Sequence, residues 1–240
     1  VTFPWLDDAR ARWSPRNDEP LLLRAWLSAP VALPRVGAVT VEGLLQHAVI
    51  VAETGTLPGD AFAAHDGAFV DLPVPIADVQ MHGLAVACAS WPTWSPDARG
   101  ALVMHTHKPE AEQLCARKVY ITGGEAKPKR VPVPTMAASY VEWYVRGDRE
   151  RLRDLLEGCR ALAKWRGAMG TVDRWELLRV SLDHSLLRDG SPARPLPVVD
   201  EAEAIERFPR GYVLDECQTR APYWHRATRA LCACPPTAPC

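Results

Sequence analysis

Residues 148 to 182 constrain the fold most, because they read as a helix, a short basic glycine loop and a strand in immediate succession. Asp148 stands as N-cap after Gly147, and the helix runs to Leu162 with Leu152, Leu155, Leu156 and Cys159 at the spacing of one buried face. Leu162 to Val172 then carries Lys164, Trp165 and Arg166 beside Gly167 and Gly170, glycines that permit positive φ or close backbone approach. From Thr171 to Leu182 the chain is rich in Val, Leu and Trp without glycine or proline, and reads as a strand entering a sheet. A loop of this kind can hold a phosphate chain.

Upstream, Leu21 to Ser28 is a strand with Leu21, Leu23, Ala25 and Leu27 on its core face. A helix follows from N-cap Thr40 to Gly55, with Leu44, Leu45, Ala48 and Val51 inward. Residues 55 to 80, rich in Gly, Pro, Asp and Ala, read as an irregular loop containing at most a short helix or hairpin. Leu84 to Ser90 is a second strand, and Tyr140 to Val145 is a third that feeds the Asp148 helix. The stretch between them, about 91 to 134, is too long for an ordinary connection and reads as an insertion projecting from the body. The order strand, helix, strand, strand, helix, strand is that of ferredoxin-like, RRM-like α+β folds. The expected organisation is therefore a lead-in over 1–20, a ferredoxin-like domain over 21–182 with a thumb-like insertion, and a C-terminal extension over 183–240.

At 240 residues and 48% hydrophobic content the chain can bury a substantial core. No apolar run reaches the length of a membrane helix, and the N-terminal region carries Asp7, Asp8, Arg10 and Arg12, so the expectation is a cytoplasmic protein with no membrane partner. A net charge of −1 argues against a uniformly basic nucleic-acid binder, but cations are clustered. Arg117, Lys118, Lys127, Lys129 and Arg130 surround Gly123 and Gly124 with Glu125 as the sole anion of that stretch. A further arginine-bearing region spans Arg207 to Arg229, with Tyr212, Tyr223 and Trp224 interleaved. Taken singly, each cluster also fits a solvated surface.

Cys88, Cys115 and Cys159 lie in apolar stretches and read as buried thiols. Cys217, Cys232, Cys234 and Cys240 could donate thiolates to zinc, but C-x-C is not the usual knuckle spacing, so ordinary thiols are favoured and neither metal nor cofactor is expected. Arg188 and Arg194 flank Asp189-Gly190 and read either as a salt-bridged turn or as RNA or DNA contacts.

The loop Leu162 to Val172 resembles the glycine-rich loop of the CRISPR-associated repeat-associated mysterious proteins. Three further stretches are similar to the family-five-like subunit of type IV CRISPR effector complexes: Ser28 to Pro34 followed by Val39 to Leu45, Leu182 to Pro197, and Arg220 to His225. Ala163 and Trp165 stand where that pattern often has glycine and lysine, and Trp165 offers an aromatic face instead. The resemblance implies a non-catalytic, RNA-binding subunit of an antiviral ribonucleoprotein that caps the 5′ handle of CRISPR RNA. It also implies family-seven-like backbone subunits and a large subunit as neighbours, with target DNA bound by the complex. Under it, Arg117, Lys118, Lys127, Lys129, Arg130, Lys164 and Arg166 meet phosphates, Gly167 and Gly170 shape the loop, and Trp165, with Trp26 or Tyr144, stacks bases.

Two other classes remain open in the sequence. A metal-independent endoribonuclease that cuts CRISPR repeats would need a general base and acid, for which His47, His105 or His107 with Lys164 are the candidates. A ferredoxin-like protein-interaction module would need no nucleic acid at all.

Overall fold

A computed structural model describes residues 3–33, 39–55, 70–107, 129–162, 169–221 and 228–236. The chain is a mixed α+β protein of antiparallel sheets and, among the described residues, four helices. Its centre is a four-stranded sheet in the order β5-β8-β1-β9, made by Thr93–Trp94 (β5), Tyr140–Gly147 (β8), Glu19–Leu27 (β1) and Val172–Arg179 (β9). Strand β1 is flanked antiparallel by both long neighbours, Leu23 pairing with Trp143 on one side and Leu177 on the other.

Period-two alternation sends Leu21, Leu23 and Ala25 of β1 and Val141, Trp143 and Val145 of β8 to one face, where all six are buried. Helices α2 (Val41–Thr54) and α3 (Arg149–Glu157) cover that face with Val41, Leu45, Ala48, Val49, Leu152, Leu155 and Leu156. Each large side chain so buried contributes about 1.5–3 kcal/mol. The Trp143 indole N–H donates to the Val39 carbonyl at 3.0 Å, so the largest side chain in this core leaves no polar atom unmet.

Helix α2 starts after Thr40, whose side chain makes no capping hydrogen bond, and stops at Gly55, which takes φ +66° as a C-terminal glycine is expected to. Its buried stripe is rotated from the expected one: Val41, Leu45, Ala48 and Val49 face inward, and Val51 is 40% exposed. Helix α3 is shorter than the pattern suggests. Asp148 caps it by accepting from the amides of Glu150 and Arg151, but the helix ends at Glu157, and the Trp175 indole takes the Cys159 carbonyl at 2.8 Å as the chain turns back. The N-terminal lead-in is also structured: Leu6–Trp13 (α1) buries Leu6, Ala9 and Trp13, and Trp13 donates to Glu53 at 2.7 Å.

The expected second strand is divided between two sheets. Asp78–Met81 (β3) and Leu84–Ala87 (β4) form a hairpin around His82 and Gly83, both at positive φ, and only the continuation from Ala89 to Trp94 runs beside β8. The insertion correspondingly begins later than residue 91. It is a ribbon of Arg99–His107 (β6) and Lys129–Ala137 (β7), extended by Val31–Ala32 (β2).

The C-terminal region has its own small core. Leu187–Arg188 (β10) and Ser191–Pro192 (β11) form a hairpin, and Leu196–Pro197 (β12), Val213–Gln218 (β13) and Arg229–Cys234 (β14) form a sheet in the order β12-β14-β13. With Glu201–Arg207 (α4) this sheet buries Leu196, Val198, Ala204, Phe208 and Ala233 around Val86 of β4. The β3–β4 hairpin is therefore shared between the two cores.

Candidate nucleic-acid interface

The glycine loop is closed at a narrow neck. Leu162 N–H donates to the Gly170 carbonyl at 2.8 Å, Val172 N–H donates to Arg160 at 2.9 Å, and Ala161 bridges Thr171. Gly170 has φ +70°, and a Cβ placed there would lie 2.4 Å from the Leu162 carbonyl oxygen, so glycine is required on both counts. Lys164, Trp165, Arg166 and Gly167 belong to residues 163–168, outside the described residues.

Residues 27–33 join this neck to the ribbon. Ser28 N–H donates to Thr171 at 3.1 Å, and Gly170 N–H donates to Pro30 at 2.8 Å. From the same segment Leu27 N–H donates to Ser139, Leu33 N–H donates to Pro134, and Val31 pairs with Met136 of β7. Pro134 has no N–H to offer the sheet, and its carbonyl is the group Leu33 uses.

At the ribbon's base, Asp97 accepts from the Ser139 hydroxyl at 2.6 Å, while Ser95 Oγ accepts from the amides of Ser139 and Tyr140. The Ser139 hydroxyl, then that of Ser95, holds the Asp97 carboxyl down to about 2. Arg130 is exposed on β7 opposite Thr106. Lys129 is in β7 and His105 and His107 are in β6, but their side chains fall outside the description, as do Arg117, Lys118 and Lys127 altogether.

The sheet face away from the helices carries a row of aromatic rings and cations at this same end. Register places Trp26 between Tyr140 and Arg174, and the next row is Glu142, Arg24, Glu176. The Arg174 guanidinium lies 4.5 Å from the Trp26 ring centroid, Arg24 lies 4.4 Å from that of Tyr140, and the two rings meet edge to face at 5.2 Å. Arg24 is held by Glu142 at 3.0 Å, and Arg174 is paired with Glu176 at 3.2 Å while its side chain remains mostly solvent-facing. Arg174 is two residues from Val172, at the loop's exit, and Tyr140 is three from Ala137, at the ribbon's end.

Tyr144, the other ring expected to stack, is engaged at the opposite end. His184 packs edge-on to it at 5.1 Å, and Arg188 stands 5.7 Å from its centroid while reaching Thr93 at 3.4 Å. Arg188 stays exposed. Arg194 does not: it is 1% exposed and forms a two-pronged pair with Glu42 at 2.8 and 3.0 Å. It also donates to the carbonyls of Ala87, Ala89 and Thr219. Of the two readings of Arg194, the structural one holds, since no ligand can reach a guanidinium so enclosed. His47 is exposed on α2.

Sequence reasoning did not single out Arg24, Tyr140 or Arg174. The alternation of Tyr140 with Val141 was visible, but that Trp26, Tyr140 and Arg174 share a row depends on register across three strands. Among the described residues no group of three or more His, Cys, Asp or Glu side chains could hold a metal ion, and no helix is long and apolar enough to cross a membrane. No family model matches the chain, and no curated protein matches it either.

Proposed function

We propose that the chain is a non-catalytic subunit that binds the 5′ handle of CRISPR RNA in a type IV effector ribonucleoprotein, on a ferredoxin-like scaffold. The observation that carries this reading is the meeting of three features at one end of the sheet. These are the neck of the Lys164–Arg166 loop, the base of the ribbon that leads to the Arg117–Arg130 cations, and the Trp26–Tyr140–Arg174 row. The strand order β9-β1-β8-β5, with helices after β1 and β8 on one face, supports the ferredoxin-like assignment.

RNA is held here by division of labour. Lys164 and Arg166 neutralise phosphates at the loop, and Arg130 with the neighbouring ribbon cations does so on the thumb-like insertion. Unpaired bases stack on Trp165 or on the sheet rings. The near-neutral remainder suits packing against backbone subunits and a large subunit, through which the complex engages target DNA.

The test is a gel-shift assay of the purified chain with labelled CRISPR repeat RNA, alone and with its backbone subunits, comparing wild type with Lys164→Ala/Arg166→Ala. Intact RNA should be retained by wild type and lost by the double variant. Loss of two phosphate contacts should flatten the plot of log affinity against log salt by about 1.4. Discrete metal-independent cleavage would transfer the assignment to a repeat-processing nuclease, and absence of RNA binding with every partner present would reject the reading.

A further inference from the structure

We propose that Arg174 selects guanine in the bound strand, its end-on pair of N–H groups donating to O6 and N7 of one unpaired base. The proposal rests on the RNA-binding reading above and names the base chosen at this end of the sheet. Arg174 is the outermost member of a row of alternating charges that crosses the open sheet face. Arg24 donates to Glu142 through Nε at 3.1 Å and Nη2 at 3.0 Å, and its Nη1 lies 3.7 Å from Oε2 of Glu176. The other oxygen, Oε1 of Glu176, takes Nε and Nη2 of Arg174 at 3.3 and 3.2 Å. Side-chain exposure rises along the row from 14% at Glu142 to 62% at Arg174.

This row anchors the guanidinium and leaves one edge of it open. Glu176 occupies the side formed by Nε and Nη2, and the Trp26 ring lies under Cζ at 4.5 Å. The end-on edge, Nη1 with the second N–H of Nη2, has no hydrogen-bond partner among the described residues. Two parallel N–H donors call for two adjacent acceptors. Guanine offers O6 and N7 on an edge that an unpaired strand leaves accessible. Adenine sets its N6 amino donor beside N7, and uracil has no two adjacent acceptors. Cytosine has N3 and O2, but only a single ring with which to cover the neighbouring Trp26 and Tyr140 rings. A phosphate also fits a guanidinium, but the carboxylates of Glu176 and Glu142 cancel the charge of Arg174 and Arg24 here. A neutral base edge meets no repulsion from them.

The test compares CRISPR repeat RNA transcribed with guanosine and with 7-deazaguanosine, in which C–H replaces N7. Each RNA is titrated against the full chain with its backbone subunits, as wild type and as Arg174→Ala. Wild type should lose roughly tenfold in affinity on the 7-deazaguanosine RNA and nothing on RNA carrying 7-deazaadenosine. Arg174→Ala should bind the guanosine and 7-deazaguanosine RNAs with one reduced affinity, and the wild-type comparison stands whether or not that variant folds. Indifference of wild type to 7-deazaguanosine would overturn the proposal and leave RNA binding intact. A salt slope flattened by about 0.7 in Arg174→Ala would then assign the arginine to a phosphate. A 7-deazaguanosine loss that persists in Arg174→Ala would also overturn it, by placing the guanine reader elsewhere. No RNA retained by wild type with its partners present would reject this proposal and the RNA-binding reading together.

Discussion

The carbonyl oxygen of Leu162 lies 2.4 Å from where a Cβ on Gly170 would stand, while the Leu162 amide donates to the Gly170 carbonyl at 2.8 Å. Loop and scaffold are thus locked by a contact only glycine can make. Gly170→Ala should cost about 1–3 kcal/mol through its positive φ alone, with more from the clash. Urea unfolding reads the loss, and RNA binding should fall further than global stability does, because the neck opens first. Equal stability of variant and wild type would show that the neck is not under this constraint.

Removing one partner of the Arg194–Glu42 pair leaves a buried, uncompensated charge. Arg194→Ala is expected to destabilise by about 3–5 kcal/mol, whereas Arg194→Met/Glu42→Leu should recover much of that loss. Chemical denaturation of the single and double variants checks both. RNA affinity of any folded variant should be unaltered, since neither group is accessible.

Trp26→Ala and Arg174→Ala should each weaken single-stranded RNA binding if bases stack on this row. The loss of a stack is worth about 1–3 kcal/mol, or roughly tenfold in affinity, with the salt slope unchanged for Trp26→Ala. Fluorescence anisotropy across a salt series separates that outcome from the phosphate losses at Lys164 and Arg166. Unchanged affinity would confine RNA contact to the loop and ribbon.

The ribbon base should loosen in acid. Asp97 is held down to about 2 in the folded protein, below its ordinary value near 4. A depressed carboxyl contributes stability that is present above the unfolded value and lost as pH falls through the folded one. Amide exchange at Ser139 and Tyr140 should therefore accelerate between about pH 4 and 2, and Asp97→Asn should remove that dependence.

What the sequence made legible was local. Gly55 and Asp148 announced helix ends because capping is decided within a few residues, and Thr40 marked the start of α2 although its side chain makes no capping bond. The alternation in β1 likewise identified its core face, on which Leu21, Leu23 and Ala25 are buried. The division of residues 84–94 between two sheets was not legible, because the His82-Gly83 turn carries no stronger hairpin signal than many loops. Nor was the role of Arg194, whose partner is 152 residues away on α2; an arginine between two prolines near a glycine turn looks the same in sequence whether it is dry or wet.

The separation of Arg194 from Glu42 bears on synthesis. Residues 19–179 contain every strand of the central sheet, yet the carboxylate on α2 has no cation until the chain is 152 residues longer. A nascent chain must keep Glu42 in water until residue 194 has left the ribosome. Its main core therefore closes late, in step with the emergence of the C-terminal sheet. Truncation after β9 should accordingly leave a species caught at that open stage, despite holding all the strands it needs.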